Sequence, residues 1–494
     1  MNIAAVLCGI LTVLLGVYGL FLLCIALPCF PRKMTSFPPA PAQRRFTILI
    51  PARNEEAVIG RLLGSIRQMH YPPELIDTVV LINNCTDRTE EIARESGARI
   101  LRCNIETKTK GDVLRFAFKA LRDATYADAY PAACSDACPT ACSNAYRATC
   151  SDSCSATCSL SDAYIIMDAD NVFDPAFLTE INNALATGVQ VVQGRRTGLN
   201  GLCTSNSTGS SLQARRTGLN GMSTSDSTSA SLHAKQTDVN AGRTWISECY
   251  EIYYAMQNAF FNHPRSSAGN SASINGTGWA VTRELMDRVG FETCTITEDY
   301  EFTIHCAFNN VRIAYCDSAV IYDDYVNSFR TSMTQRVRWT YGILQCLRHY
   351  EGRLLRALCV KSAPAESLKK VSAECAKKAA AEIKNRKTAY LDAALLNLIP
   401  FAVTASILLP FVNYPVFALY RTVSFALYFL MTMLMLWIGL SLAALLAVGK
   451  THAGVRKNLL GILLYPLFMI TWVPVLLSFP FRRNFDWTPI RRKN

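Results

Sequence analysis

Long stretches without charged side chains stand near both ends of this 494-residue chain, and they constrain its architecture more than any other feature. Residues 3–30 contain no charge. A helix of that length crosses the roughly 30 Å hydrocarbon core of a bilayer. A cleaved signal peptide would need a basic start and a shorter apolar core, and no Lys or Arg precedes this run. We therefore expect an uncleaved membrane anchor at residues 1–31.

Three more apolar runs lie towards the other end of the chain. They are residues 391–416, which carry one charge at Asp392, residues 422–449, which carry none, and residues 459–481, which carry none but contain three prolines. They predict about three C-terminal transmembrane segments within residues 391–482, followed by a basic tail at residues 483–494.

The basic residues that flank these runs indicate their orientation, because Lys and Arg favour the cytoplasmic side. Arg32 and Lys33 follow the first run, so we expect a multi-pass protein of the plasma membrane whose middle domain is cytoplasmic. The loop at 450–458 is basic and fits this topology. The tail is basic as well, although one crossing followed by three would place it outside. Either the last, proline-containing segment is re-entrant or interfacial, or the charge rule fails there.

Strands and helices alternate between the apolar runs. The pattern predicts strands at 46–54, 75–84, 98–103 and up to 167, and helices at 55–69, 89–97 and 110–124. This order is typical of an α/β protein with a doubly wound sheet, which binds ligands at the carboxyl ends of its strands. The net charge of +12 is not accompanied by any nucleic-acid-binding motif, so we expect no nucleic-acid partner.

Three low-complexity stretches interrupt the alternation. Residues 127–162 contain six cysteines spaced C-x3-C, which differs from the C-x2-C or C-x4-C pairs of structural zinc sites. Residues 195–240 contain a tandem duplication, in which 195–214 recurs almost whole as 215–234. Residues 361–390 are rich in Lys and Ala and predict a solvated helix. We interpret the first two as loop insertions, and we expect the cysteines of a cytoplasmic domain to be reduced.

Candidate functional residues lie at predicted strand ends and in a later cluster. Asp168 and Asp170 follow a buried strand, and two like charges this close become favourable when a cation, or a cation carrying a phosphate, sits between them. Asn83 ends the second predicted strand. Downstream come a Gly-rich turn at 276–279 that we expect to enter a helix, the acidic run TITEDYEF at 295–302, and the run QRVRW at 335–339.

The chain resembles the membrane-embedded family 2 glycosyltransferases, which include cellulose, chitin, hyaluronan and poly-N-acetylglucosamine synthases. The matching pieces occur in family order over most of residues 46–345, and they are IPARNE, NNCTD, KG, DAD, GTGW, TED and QRVRW. A lone DAD would be weak evidence, whereas DAD, then TED, then Q-x-x-R-W before a membrane segment is specific. The resemblance implies a nucleotide-sugar-binding domain of the GT-A type at residues 45–350.

The resemblance also implies roles for the matching residues. Asp299, with Glu298 beside it, would be the catalytic base. A Mg²⁺ or Mn²⁺ ion would be held by Asp170 and Asp168. The nucleotide sugar, expected to be UDP-linked, would be bound by Pro51, Arg53, Glu55, Asn83, Lys110 and Asp168. The diphosphate and the acceptor would be contacted by Gln335, Arg338, Trp339, Gly278 and Trp279.

The chemistry of glycosyl transfer gives physical reasons for these residue types. A divalent cation neutralises the departing diphosphate, and a carboxylate base removes the proton from the attacking hydroxyl. If base and cation lie on opposite sides of the sugar, in-line displacement inverts the anomeric centre. Arg338 offers a planar fork of donors to the diphosphate, and Trp339 offers an aromatic face to a sugar ring.

Three functions remain open at this point. The first is extension of a glycan from a nucleotide sugar at the membrane, and the second is a single transfer to a lipid acceptor. The third is a catalytically impaired or metal-handling relative. It is kept because Asn83 replaces an Asp that relatives use to contact uracil, and an amide lacks that charge.

Each acidic or basic pair also has a purely structural interpretation. Asp168 and Asp170 are compatible with capping of the next helix, and Glu298 and Asp299 with a solvated helix start. The arginines of QRVRW are compatible with a membrane-surface anchor on an interfacial helix.

Overall fold

A computed structural model describes residues 36–122, 161–199, 243–359, 386–398, 424–451 and 453–478. The expected anchor at 1–31, residues 127–160 of the six-cysteine stretch, the duplication beyond residue 199 and the basic tail lie outside the described residues. Residues 361–385 of the predicted Lys- and Ala-rich helix lie outside them too. Most of the predicted run at 391–416 lies outside them as well.

One mixed sheet forms the centre of the protein. Its strands are β1 Phe46–Ala52, β2 Ile76–Ile82, β3 Arg99–Arg102, β4 Ala163–Ile166, β5 Val172–Phe173, β6 Val191–Gly198, β7 Trp279–Thr282 and β8 Ile313–Asp323. Their order across the sheet is β3-β2-β1-β4-β7-β6-β8-β5. The first four strands are parallel, as the alternating pattern predicts. The second half of the sheet departs from the expected doubly wound arrangement. There β7 runs antiparallel to β4 and β6, and β5 runs antiparallel to β8.

Helices cover both faces of the sheet. They are α1 Ile59–Ile66, α2 Thr89–Glu95, α3 Lys110–Arg122, α4 Phe177–Ala186, α5 Trp245–Met256, α6 His263–Ser267, α7 Arg283–Val289, α8 Glu298–Phe308, α9 Phe329–Cys359, α10 Ser424–Thr451, α11 Leu459–Ile470 and α12 Trp472–Leu477. A π-helix, Gln257–Asn262, joins α5 to α6, and a further helical segment occupies residues 386–398.

Alternate side chains of the buried strands supply two hydrophobic cores. On β1, Ile48 and Ile50 face the core that α1 and α4 cover. Leu49 faces the core under α3, α7 and α8. Burying each such side chain contributes about 1.5–3 kcal/mol, so a strand apolar on both faces is held centrally in the sheet. This position fixes where the loop that follows β1 emerges.

The Gly-rich turn leads into a strand rather than directly into the expected helix. Gly278 has φ +65°, and a Cβ there would lie 3.0 Å from Ile321 Cγ1, so the bend requires glycine. Trp279 follows and begins β7, with the helix α7 starting only after Thr282. The antiparallel pairing of β7 with β4 depends on a partner more than 100 residues away, which local periodicity does not reveal.

The strand β6 extends into the stretch assigned to the second insertion. Residues 195–198 pair in parallel with β8, after a register shift between Gly194 and Arg195. The duplicated segment therefore begins inside the sheet, although its composition resembles a loop.

Two helical segments of the described chain are long and apolar enough to cross a membrane, namely Met433–Lys450 and Val455–Leu477. Most of their leucines are exposed, while Ala444, Ala447 and Tyr465 pack against α5. The backbone N–H of Gly461 donates to Glu248 Oε2 at 2.7 Å. The C-terminal helices are thus attached directly to the domain that carries the sheet.

Candidate functional site

A cleft of about 590 Å³ opens at the carboxyl ends of β1, β2 and β4. Its wall includes twelve of the residues that the sequence singled out, and they are Pro51, Arg53, Glu55, Asn83, Lys110, Asp168, Asp170, Glu298, Asp299, Gln335, Arg338 and Trp339. The parallel strands explain the first half of this set, because their carboxyl ends meet at one sheet edge. The starts of α3 and α8 and the first turns of α9 bring in the rest.

The end of the cleft at β1 and β2 is built from two linked loops. Asn83 is buried, and its Oδ1 accepts hydrogen bonds from Thr107 Oγ1 at 2.7 Å and Asn84 Nδ2 at 3.2 Å. Asn54 has φ +58° and accepts the backbone N–H of Thr86 at 2.8 Å, which joins the two loops. Asn83 is therefore held in place by neutral hydrogen bonds.

Lys110 lies in the middle of the cleft between two carboxylates. Its Nζ is 2.6 Å from Asp168 Oδ1 and 3.3 Å from Glu298 Oε1, and it donates to the carbonyl of Gly276 at 2.8 Å. Burial alone lowers the pKa of Lys110, but the two carboxylates outweigh burial and raise it. The ammonium therefore remains charged inside the protein.

The next residue, Gly111, allows this placement. A Cβ on Gly111 would lie 2.6 Å from Thr293 Oγ1, so the start of α3 approaches the loop before α8 as only glycine permits. The KG pair thus combines a cation with the close contact that positions it.

Glu298 and Asp299 begin α8, where Glu298 is buried and Asp299 is half-buried, so the pair is not a solvated helix start. Burial raises the pKa of Glu298 to about 7, against the opposing attraction of Lys110. Burial also raises the pKa of Asp299, with Lys110 again opposing. A buried carboxyl with a raised pKa is suited to accept a proton near neutral pH.

Asp168 and Asp170 do not cap α4, whose start has no side-chain cap; Asp174 Oδ1 accepts the N–H of Ala176 just before it. The backbone N–H of Asp168 donates to Thr277 Oγ1 at 3.0 Å, which fixes the turn after β4. The described residues contain no group of three or more His, Cys, Asp or Glu arranged around a single point. Two carboxylates nevertheless fit Mg²⁺ or Mn²⁺, since such ions take one or two protein carboxylates and complete their shell with phosphate oxygens and water.

The helix α9 closes the cleft with Gln335, Arg338 and Trp339. Burial lowers the pKa of Arg338, while nearby Glu298, Asp168 and Asp299 oppose that shift. This guanidinium therefore lies within electrostatic range of all three carboxylates.

Contacts of Trp339 and Arg336 show how α9 is fixed. The Trp339 ring stacks on Tyr253 with the centroids 6.3 Å apart. Arg336 is buried and points away from the cleft, donating to the Phe468 carbonyl at 3.2 Å and to Thr471 Oγ1 at 2.6 Å. It joins α9 to the C-terminal helices and is not a membrane-surface anchor.

Two residues expected at the acceptor or diphosphate lie elsewhere. Trp279 is 1% exposed and packs against Phe302, with ring centroids 5.4 Å apart. Gly278 forms the bend before β7 described above. Neither lines the cleft, so both expectations are corrected to core-forming positions. The GTGW motif is present, but its aromatic residue lies in β7 and points into the core.

Sequence reasoning missed a second group of residues in the cleft, formed by Arg196, Asp323 and the tyrosines of α5. Arg196 Nε donates to Asp323 Oδ2 at 2.8 Å, and its guanidinium lies 4.2 Å from the centre of the Tyr254 ring. The run ECYEIYYAM was a usable aromatic signal, whereas Arg196 was hidden in the duplicated segment.

The side of the cleft towards the C-terminal helices is largely apolar. It is lined by Phe261, Ile343, Leu396, Tyr465 and Trp472. The cleft therefore has a charged end under the sheet and an apolar end beside the helices of membrane-crossing length.

Two protein-family models match this chain. The model described as Glycosyltransferase like family 2 matches residues 41–342, and the model described as Glycosyl transferase family group 2 matches residues 211–480. Together they extend over the sheet, the cleft and the C-terminal helices.

Individual relatives share shorter or more distant similarity. The 4,4'-diaponeurosporenoate glycosyltransferase of Staphylococcus aureus (strain USA300) is 45% identical over 58 residues, which are 12% of this chain and 15% of that protein. The mannosyltransferase PcManGT from Pyrobaculum calidifontis, in complex with GDP-Man and Mn²⁺, is 15% identical. The match covers 92% of this chain and 99% of that one with a TM-score of 0.48. Glucosyl-3-phosphoglycerate synthase from Mycobacterium tuberculosis is 18% identical, with 62% and 81% covered and a TM-score of 0.33.

Proposed function

The chain belongs to glycosyltransferase family 2, and from this premise we propose that it transfers a sugar from a nucleotide sugar to a growing glycan at the membrane. We propose an inverting reaction that depends on Mg²⁺ or Mn²⁺, with UDP as the expected nucleotide. The proposed location is the plasma membrane, with the cleft on the cytoplasmic side.

One observation carries the proposal. A single cleft contains two carboxylates after β4, the acidic pair at the start of α8 and the Gln335, Arg338 and Trp339 side chains of α9. Glycosyl transfer needs groups that bind the donor, remove a proton and place the acceptor, and all of them must lie close to the same sugar. A bound divalent ion would supply charge neutralisation of the diphosphate, and Asp170 and Asp168 are the residues that would hold it.

Other residues of the cleft would remove the proton and stabilise the diphosphate. Asp299 would accept the proton of the attacking hydroxyl, because burial disfavours its charged form and so increases its basicity. Lys110 and Arg338 would place positive charge beside the diphosphate as the bond to the anomeric carbon breaks. Glu298 would hold Lys110 in position through their ion pair.

A second candidate acceptor is supported by the apolar end of the cleft. Phe261, Ile343 and Leu396 offer no hydrogen bonds to sugar hydroxyls, and they lie beside helices long enough to cross a bilayer. This lining favours the hydrophobic part of a lipid acceptor, in which case the reaction would be a single transfer rather than polymerisation.

The test is donor turnover by the full chain purified in detergent. A panel of UDP- and GDP-sugars with Mg²⁺ or Mn²⁺ is screened for released nucleoside diphosphate, and the product is sized. Long products support glycan extension, and lipid-sized products support the second candidate. Asp299→Asn serves as the matched inactive control. Absence of release from folded wild-type protein with every donor would refute transferase activity and favour an impaired relative.

A further inference from the structure

A buried asparagine bridges the proposed metal carboxylate to a second carboxylate. Asn171 is 1% exposed, and one terminal atom of its amide lies 2.6 Å from Asp170 Oδ1 and 2.9 Å from Asp323 Oδ1. That atom is assigned as the nitrogen, because an oxygen there would face two acceptors. The amide oxygen then accepts from Thr277 Oγ1 at 3.1 Å. Every polar atom of the Asn171 side chain therefore has a partner.

The second carboxylate is itself fixed. Asp323 ends β8 and is 4% exposed, and its Oδ2 accepts from Arg196 Nε at 2.8 Å and from Arg196 Nη2. Arg196 in turn donates to the Asn275 carbonyl at 2.9 Å. A chain of hydrogen bonds thus runs from β6 through β8 to the turn after β4.

We propose that Asn171 and Asp323 are positioning residues that hold the Asp170 carboxylate in one orientation for a divalent cation. The inference rests on the metal-dependent function proposed above and extends it to residues that no motif includes. Partners that hydrogen-bond to metal-ligating carboxylates fix the orientation of the ligand, and their loss weakens metal binding or activity by roughly 10–100-fold.

A neighbouring ion pair offers a matched control. Arg195 and Asp317 lie on the same two strands, with 3.8 Å between Nη1 and Oδ2, and neither lines the cleft. Removing the Asp317 charge perturbs the pairing of β6 with β8 without touching Asn171 or Asp170. A purely structural role of the Arg196–Asp323 pair would give the two substitutions similar effects.

The experiment measures Mn²⁺ binding to the detergent-purified full chain in the presence of UDP, from the free Mn²⁺ signal in electron paramagnetic resonance. Asn171→Ala is expected to weaken Mn²⁺ binding by about 10–100-fold. Asp323→Asn is expected to weaken it by at least about tenfold. Asn171 and Arg196 donate to different oxygens of Asp323, and in asparagine one of these two positions becomes an NH2 group that faces a donor. Asp317→Asn is expected to bind Mn²⁺ as wild type does.

The outcomes separate this proposal from the proposed function. Wild-type affinity in Asn171→Ala and Asp323→Asn would overturn the positioning role, while Mn²⁺-dependent turnover would still stand. Equal weakening in all three variants would also overturn it, since the effect would then be general. If Asn171→Ala does not fold, the nearly isosteric Asp323→Asn decides alone. Failure of the wild-type protein to bind Mn²⁺ would overturn both the metal site and this inference.

Discussion

Replacing Gly342 with alanine would separate α9 from Thr297, the residue that precedes the acidic pair at the start of α8. A Cβ on Gly342 would lie 2.8 Å from Thr297 Cβ and closer still to Thr297 Cγ2 and Oγ1. Carbon atoms pack at about 3.5–4.0 Å, so the two elements would have to move apart by roughly 1 Å. Such overpacking costs about 1–3 kcal/mol, and the gain in helix propensity offsets about 1 kcal/mol of it.

The displacement acts on the cleft because Thr297 precedes Glu298, and Gly342 lies one helical turn from Arg338 and Trp339. A shift of about 1 Å between catalytic groups lowers rates by roughly 100-fold, so we expect the turnover of Gly342→Ala to fall by that factor. The assay is nucleoside diphosphate release, with the melting temperature measured in parallel.

The same helix provides the control for this prediction. A Cβ on Gly352 would meet only the flexible end of Arg356, at 3.8 Å, so Gly352→Ala gains helix propensity without a clash. It should be more stable by up to about 1 kcal/mol and should keep wild-type turnover. Turnover of Gly342→Ala within twofold of wild type would refute the claim that this close approach sets the geometry of the cleft.

Three further outcomes are expected. Asp299→Asn should lower transfer by roughly 10²–10⁴-fold while UDP binding, measured by isothermal titration, stays near wild type; loss of UDP binding would contradict the assignment as base. Lys110→Met should move the acidic limb of the pH–rate profile to higher pH. The reason is that Lys110 lowers the pKa values of Glu298 and Asp299, and without it these carboxyls ionise only at higher pH; an unmoved limb would show that neither governs the rate. Deletion of residues 215–234 should leave turnover within about twofold of wild type, because Arg196 belongs to the first copy and stays in β6; a folded but inactive deletion would contradict this.

The sequence predicted the first half of the sheet and much of the cleft because both follow from local signals. The strands β1 to β4 are short apolar runs separated by amphipathic helices, and this alternation favours a parallel order. Parallel order then brings Asn83 and Asp168 to one edge. The bounds of the predicted elements agree with the structure to within a few residues, apart from helix 55–69, whose first residues form a turn.

The antiparallel strands and the contacts between charged groups could not be predicted from local sequence signals. The GTGW motif predicted Trp279 in the cleft, and the loop-like composition predicted residues 195–198 in an insertion. Both predictions were wrong because the pairing of β6, β7 and β8 cannot be recognised from the local sequence. Lys110 was assigned to the nucleotide sugar, whereas the structure also pairs it with Asp168 and Glu298.

The sequence by itself determined the family, the strand ends that carry charge and the apolar runs at both ends of the chain. Each of these features depends on short motifs or runs of neighbouring residues. Only the tertiary structure decided that Asn171 joins Asp170 to Asp323, and that Gly342 brings α9 against Thr297. Such contacts depend on the register and spacing of segments far apart in the chain. The free energy that determines strand register comes from the whole buried core, so no single sequence motif predicts the register.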